Sequence, residues 1–105
     1  MIRCMCLVQR NQTPDHKRDS LIAALDGFTQ RAFGDGADIN WVAVDEGAGF
    51  TAGLPSTSSV LSMTAPTALD QERRVSLLTE LCDLWMAETG CSVGEIVAAI
   101  NDPQA

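Results

Sequence analysis

Histidine occurs once in this chain, at His16, and basic residues are scarce, seven against fourteen acids in 105 residues. With so few donors a zinc site would be short of ligands. The four cysteines (Cys4, Cys6, Cys82 and Cys91) contain no CxxC pair to make up the difference. They are expected as buried free thiols, and neither a metal nor a cofactor is expected. A net charge of −7 without any Lys/Arg run excludes a nucleic-acid footprint and would repel an anionic membrane. No apolar stretch approaches the ~20 residues of a membrane-spanning helix. The N-terminus carries no long apolar segment of the signal-peptide kind. Cytoplasm is the expected location.

What remains is a globular composition, 46% hydrophobic and 20% charged, at the length of one domain. Residues 2–8, IRCMCLV, read as a strand. Thr13 as N-cap, Pro14 at the first helical position and Asp15 in the first turn open a helix. Leu21, Ile22, Leu25, Phe28 and Ala32 recur along it at helical spacing, and Gly34 ends it. INWVAV (39–44) is a second strand, and VLSMT (60–64) follows a Gly- and Ser-rich loop as a third. Thr67, with Asp70 three residues on, predicts the start of a second helix. Val75, Leu78, Leu81, Cys82 and Trp85 are assigned to its inner face, and Gly90 to its end. EIVAAI (95–100) is the last strand, stopped by NDP.

The β-α-β order occurs twice. A shift of 56 residues lays Lys17-Arg18 on Arg73-Arg74, Leu21 on Leu77, Ile22 on Leu78, Leu25 on Leu81 and Gly34 on Gly90. This is the mark of an internal duplication, with halves at roughly 1–50 and 57–102. Each half is a parallel strand pair joined by a crossover helix, and such crossovers are right-handed in ~98% of cases. The expected fold is therefore α+β: one four-stranded sheet with both helices on the same face.

That arrangement leaves a face uncovered. The first strand puts Ile2, Cys4, Cys6 and Val8 on one side and Met1, Met5, Leu7 and a lone Arg3 on the other. The second and fourth strands read as apolar on both faces, a pattern of sheets covered twice. Two helices cover one side only, so an oligomer is expected.

With these residues in place, the sequence resembles the tautomerase superfamily, in particular the group around cis-3-chloroacrylic acid dehalogenase. The resemblance rests on a strand from residue 1, on Thr13-Pro14 and Lys17 before the first helix, and on GAGFTAG with Phe50 and Gly53. The duplicated β-α-β plan is the rest of it. It implies a homotrimer and a pocket at each N-terminus. There the family carries a catalytic proline, whose amine is made less basic by desolvation and neighbouring positive charge. Here that position is Met1. The assisting histidine's position is Phe28. The second-helix arginines fall on Ala68 and Gln71, or, two residues along, on Asp70 and Arg73. The strand-four tyrosine falls near Ala99, and the later glutamate has no counterpart before Ala105. Dehalogenase chemistry is not expected.

The resemblance instead implies tautomerase, isomerase or hydratase-like chemistry on a small carbonyl acid. Met1 would supply a primary amine, Phe28 and Phe50 an apolar wall, unless they are simply core, and Arg3 or Arg73 an anion contact. The rival is a catalytically silent binding or assembly subunit of the same fold, pairing with itself or with a proline-bearing paralogue. GAGFTAG is not expected to cradle a nucleotide, since it leads into a strand rather than a helix. His16 is expected at the surface.

Overall fold

The computed structural model describes residues 1–105 apart from Glu46, Ala52 and Ala105, and for Phe50, Thr51 and Pro55 it describes the backbone alone. Four strands form the main sheet: β1 (Ile2–Gln9), β2 (Ala37–Val44), β5 (Ser59–Thr64) and β6 (Ile96–Asn101). Their order is β2-β1-β5-β6. Strand β1 runs parallel to β2 and antiparallel to β5, which runs parallel to β6. Between β2 and β5 a short antiparallel pair, β3 (Phe50–Thr51) and β4 (Leu54–Pro55), stands in the loop where no strand is predicted. Helix α1 (Arg18–Phe33) crosses from β1 to β2, and α2 (Gln71–Thr89) from β5 to β6.

Both helices pack on one sheet face. Ile2, Cys4, Cys6 and Val8 of β1 share a buried cluster with Leu21, Leu25 and Phe28 of α1 and Leu77, Leu81 and Trp85 of α2. Fully burying one such side chain stabilises by about 1.5–3 kcal/mol. Trp85 packs 6.2 Å, centroid to centroid, from Trp41 of β2, which joins the core of one half to the other. The inner face of α2 differs from the expected one: Leu77 joins Leu81 and Trp85 in the core, Val75 is exposed, and Leu78 and Cys82 are only half-buried at its border. Val75 belongs to an outer stripe with Leu78, Cys82 and Met86.

The duplication is carried into the backbone. Gly34 and Gly90, 56 residues apart, close α1 and α2 at φ 73° and 74°. A side chain with a Cβ is strained in that left-handed region. The helix starts depart from expectation. Asp70, not Thr67, caps α2 by accepting the Arg73 N–H at 2.7 Å. Thr13 caps nothing; it is buried and donates to Gln12 Oε1, while Pro14 leads into a 3-10 turn (Asp15–Lys17) ahead of α1.

Gln12 is the polar knot of the fold. Its amide donates to the carbonyls of Thr57 and Glu95 and its oxygen accepts from the hydroxyls of Thr13 and Ser59. One side chain thus ties the turn after β1 to the start of β5 and to Glu95, the residue before β6.

The second sheet face carries Arg3, Met5 and Leu7 of β1 and Val97 of β6, with Met5 44% and Val97 57% exposed. It is less apolar than the sequence suggests. Strand β2 begins at Ala37, earlier than expected, which adds Asp38 to that face beside Asn40; both are exposed.

Candidate active site

The start of β1, the end of β5 and the turn after α1 meet at one end of the sheet. They do so because β5 runs antiparallel to β1, and because Gly34 turns the chain from α1 back into the parallel strand β2. A cavity of about 510 Å³ opens there, lined by Met1, Arg3, Asp35, Thr64, Ala65 and Gln104, among others. Its volume falls within the range of small-molecule sites.

The Met1 α-ammonium lies 3.0 Å from Asp35 Oδ2. That contact, followed by the Gly36 N–H at 2.9 Å on Oδ1, holds the Asp35 carboxyl below the usual carboxylate range. The Ile2 N–H donates to the Gly36 carbonyl at 2.8 Å, so the backbone beside the amine is fixed. The Met1 side chain is exposed rather than packed into the cavity, with its methyl group toward Gly36. Arg3, two residues along on the same strand face, stands opposite Asp38 in the β1–β2 register. Among the described residues it has no carboxylate within 4 Å. An unpaired guanidinium beside an amine can hold an oxyanion through parallel N–H donors.

The other expected contacts are placed elsewhere. Phe28 is fully buried in the core, edge-on to Phe33, because α1 turns it toward the sheet; it does not line this cavity. Arg73 lies in the first turn of α2, exposed and outside the lining. Its neighbour Arg74 turns inward. The Arg74 guanidinium donates to the carbonyls of Ile100 and Leu69 and pairs with Asp102 at 2.8 Å. The Phe50 side chain lies outside the described residues.

Asp35 was not singled out from the sequence. Its signal was available: an acid directly after a helix-ending glycine sits at the end of the sheet where a parallel partner strand begins. The cysteines offer no alternative nucleophile there. Burial pushes the Cys4 thiol up to about 11, with Asp38 adding to it, and the Cys6 thiol up to about 12, with Cys4 adding. Thiols so raised are not thiolates near neutral pH. Among the described residues, no three His, Cys, Asp or Glu side chains gather to hold a metal ion. Nor is any helix long and apolar enough to cross a membrane.

With this geometry established, the fold can be placed. It is the fold of the tautomerase superfamily, as the sequence resemblance implied. The chain is similar to native Ps01740, at 23% identity over 98% of this chain and 95% of that one, with a TM-score of 0.84. It is similar to N1, a member of the cis-3-chloroacrylic acid dehalogenase family, at 10% identity over 96% and 74% of the two chains and a TM-score of 0.81. A fused 4-OT, described as a symmetric trimer, superposes with a TM-score of 0.80 at 13% identity over 96% and 85%. No protein-family model and no curated protein matches the chain.

Proposed function

We propose that the chain binds a small carbonyl acid at the Met1 cavity and moves a proton on it, as a tautomerase- or isomerase-type enzyme. The observation that supports this is the meeting of the Met1 amine, Asp35 and the unpaired Arg3 at one open cavity. Arg3 takes the substrate carboxylate. The Met1 amine, once its ammonium has given a proton to solvent, accepts the proton α to the carbonyl, and the electron pair moves onto the carbonyl oxygen to give the enolate. The resulting ammonium donates to Asp35 until it returns the proton to carbon or oxygen. A hydratase-like reaction would use the same anchor: water adds to one carbon of a conjugated double bond, giving its proton to Asp35, and the Met1 ammonium protonates the other carbon. The protein is read as a homotrimer, like the fused 4-OT neighbour, with a second copy over the Met5 and Val97 face. Its four free thiols suit the reducing cytoplasm.

The test is hydrogen exchange at C3 of pyruvate in heavy water, followed by proton NMR. Exchange accelerated about tenfold or more over buffer, and lost on N-terminal acetylation and in Arg3→Ala, is expected. Exchange no faster than buffer overturns the enzyme reading. Pyruvate resonances broadened by the native chain but not by Arg3→Ala would then favour the silent binding subunit.

A further inference from the structure

Helix α2 carries a second apolar stripe on its outer side. Val75, Leu78, Cys82 and Met86 recur along it at helical spacing, and Val93 faces them from the turn after the helix. Together they line a cleft of about 360 Å³. Leu78, Cys82 and Met86 rest on the core and make its floor, while Val75 is 51% and Val93 80% exposed. Val93 is fixed in that position. It opens a 3-10 turn (Val93–Glu95) held by a capping box, in which the Ser92 N–H and hydroxyl donate to Glu95 Oε1 at 2.9 and 3.0 Å. The fold thus holds an apolar side chain out in water, opposite an apolar stripe.

The charges beside the stripe have one sign. Thr79 and Asp83 stand at the edge of the cleft, and helical spacing sets Glu72 and Glu80 on the same flank. All four are exposed. Glu80 is paired with Arg31 at 3.2 Å. Among the described residues, Glu72 and Asp83 have no cation within 4 Å. All seven Lys and Arg side chains are described, and none lines the cleft. The charge of Asp83 is felt inside it: burial first, then Asp83, holds the Cys82 thiol above its ordinary value.

Length and charge say what fits. Val75 and Met86 stand about 16 Å apart along the axis at ~1.5 Å per residue, a span of about three turns of a facing helix. A second copy of this chain is a poor occupant. Packing α2 on α2 would bring two rows of acids together, between chains of net charge −7 each. A basic partner is drawn in by the same charges.

We infer that this stripe docks a basic amphipathic helix of another protein, its apolar face on Val75, Leu78, Cys82 and Met86 and its Lys or Arg residues beside Glu72 and Asp83. A helix laid in an apolar groove is anchored at i, i+3 or i+4 and i+7, the spacing this stripe presents. The pliable Met86 side chain can adjust to the anchor it meets. The cleft shares no lining residue with the Met1 cavity, and it lies on the helical side, so the proposed trimer leaves it open.

The experiment is a titration of the isotope-labelled full chain with an amphipathic Leu/Lys peptide of about 14 residues, ~21 Å long as a helix, followed by two-dimensional NMR. A Leu/Glu peptide of the same pattern and a Leu/Lys peptide scrambled to remove the apolar periodicity are the comparisons. The Leu/Lys helix is expected to shift the Thr79, Asp83, Met86 and Val93 amides along a saturable curve, leaving Arg3 and Ser62 unmoved. The other two peptides should bind about tenfold or more weakly. Asp83→Lys should weaken binding about tenfold. Asp19→Lys, the same change of charge at an exposed position on α1, should leave it unchanged. Val93→Ser, at a position too exposed to endanger the fold, should weaken binding about threefold. No saturable shift, an equal response to either comparison peptide, or equal losses in the two charge variants would each overturn the assignment. The same amides moving with the concentration of the chain alone would give the stripe to a second copy and overturn it as well.

Discussion

Met1 and Asp35 are joined by an ion pair at 3.0 Å, which links the start of β1 to the residue behind the glycine that ends α1. The pair fixes two things together: where the amine sits, and how the chain leaves the first helix. A hydrogen-bond acceptor 3.0 Å from the amine also gives a proton taken from carbon a place to rest. That is the feature which separates this site from a bare chain terminus.

The pair makes a prediction about pH. Asp35 is held below its unfolded value of about 3.9 by the ammonium first and the Gly36 N–H second. A depressed carboxyl stabilises the fold fully above the unfolded value and loses that contribution as pH falls through the folded one. Asp35→Asn should therefore lower the urea midpoint slightly at pH 7, the group being exposed, and should match the parent chain near pH 2. An equal deficit at both pH values would show that the side chain acts through shape rather than charge.

Arg74 carries the opposite kind of role, structural and partly buried. Its guanidinium closes the last turn of the fold by satisfying the Ile100 and Leu69 carbonyls, with Asp102 held against it by the Leu69 N–H. Arg74→Ala strips donors from two backbone carbonyls, which costs about 1.5–3 kcal/mol. Arg73→Ala, one residue earlier and exposed, should cost less than about 0.5 kcal/mol. Denaturant melts of the two variants side by side test this. Comparable losses would mean that Arg73 holds a contact of its own.

The contrast between these neighbours shows where the sequence was legible. Apolar spacing placed Leu21, Leu25, Leu81 and Trp85 inside, and the 56-residue shift paired Gly34 with Gly90 correctly. Periodicity reports which way a helix faces, and a left-handed stop needs a glycine, so both survive in the sequence as patterns. Arg73 and Arg74 are chemically identical, and only the position of the Ile100 carbonyl across the fold selects one. Phe28 lies in the core and away from the Met1 cavity for a related reason. Alignment to a family position says nothing of whether the new side chain is drawn into the core, and an aromatic ring on the inner face of α1 is. Asp35 carried a local signal, its place directly after Gly34, but the Met1 amine it meets lies at the other end of β1 and α1, and no local pattern announces the pair.

Trp85 gives a stability prediction that runs against its size. It is fully buried, and its Nε1–H has no partner among the described residues. Trp85→Ala removes the ring that meets Trp41 and should cost about 3–5 kcal/mol. Trp85→Phe leaves a smaller gap while deleting an unpaired buried donor, and the two effects oppose each other. The expected cost is under about 1.5 kcal/mol. A loss in Trp85→Phe as large as in Trp85→Ala would mean that the indole nitrogen has a partner, such as a buried water.

The open sheet face makes a prediction about assembly. Met5 and Val97 are exposed at 44% and 57% in the single chain, with Leu7 and Val60 beside them, and Asp38, Asn40 and Arg3 set toward one end. If a second copy covers the apolar part, a charge placed there must be desolvated on assembly, whereas the same charge on the helix side stays in water. Met5→Glu should therefore convert the protein from about three chain masses to one by light scattering, with its circular dichroism retained. Val75→Glu, on the outer stripe of α2, should leave the mass unchanged. A parent chain that runs as a monomer would remove the trimer from the reading. So would a Val75→Glu variant that dissociates while Met5→Glu does not, since that result would move the contact to the helical side.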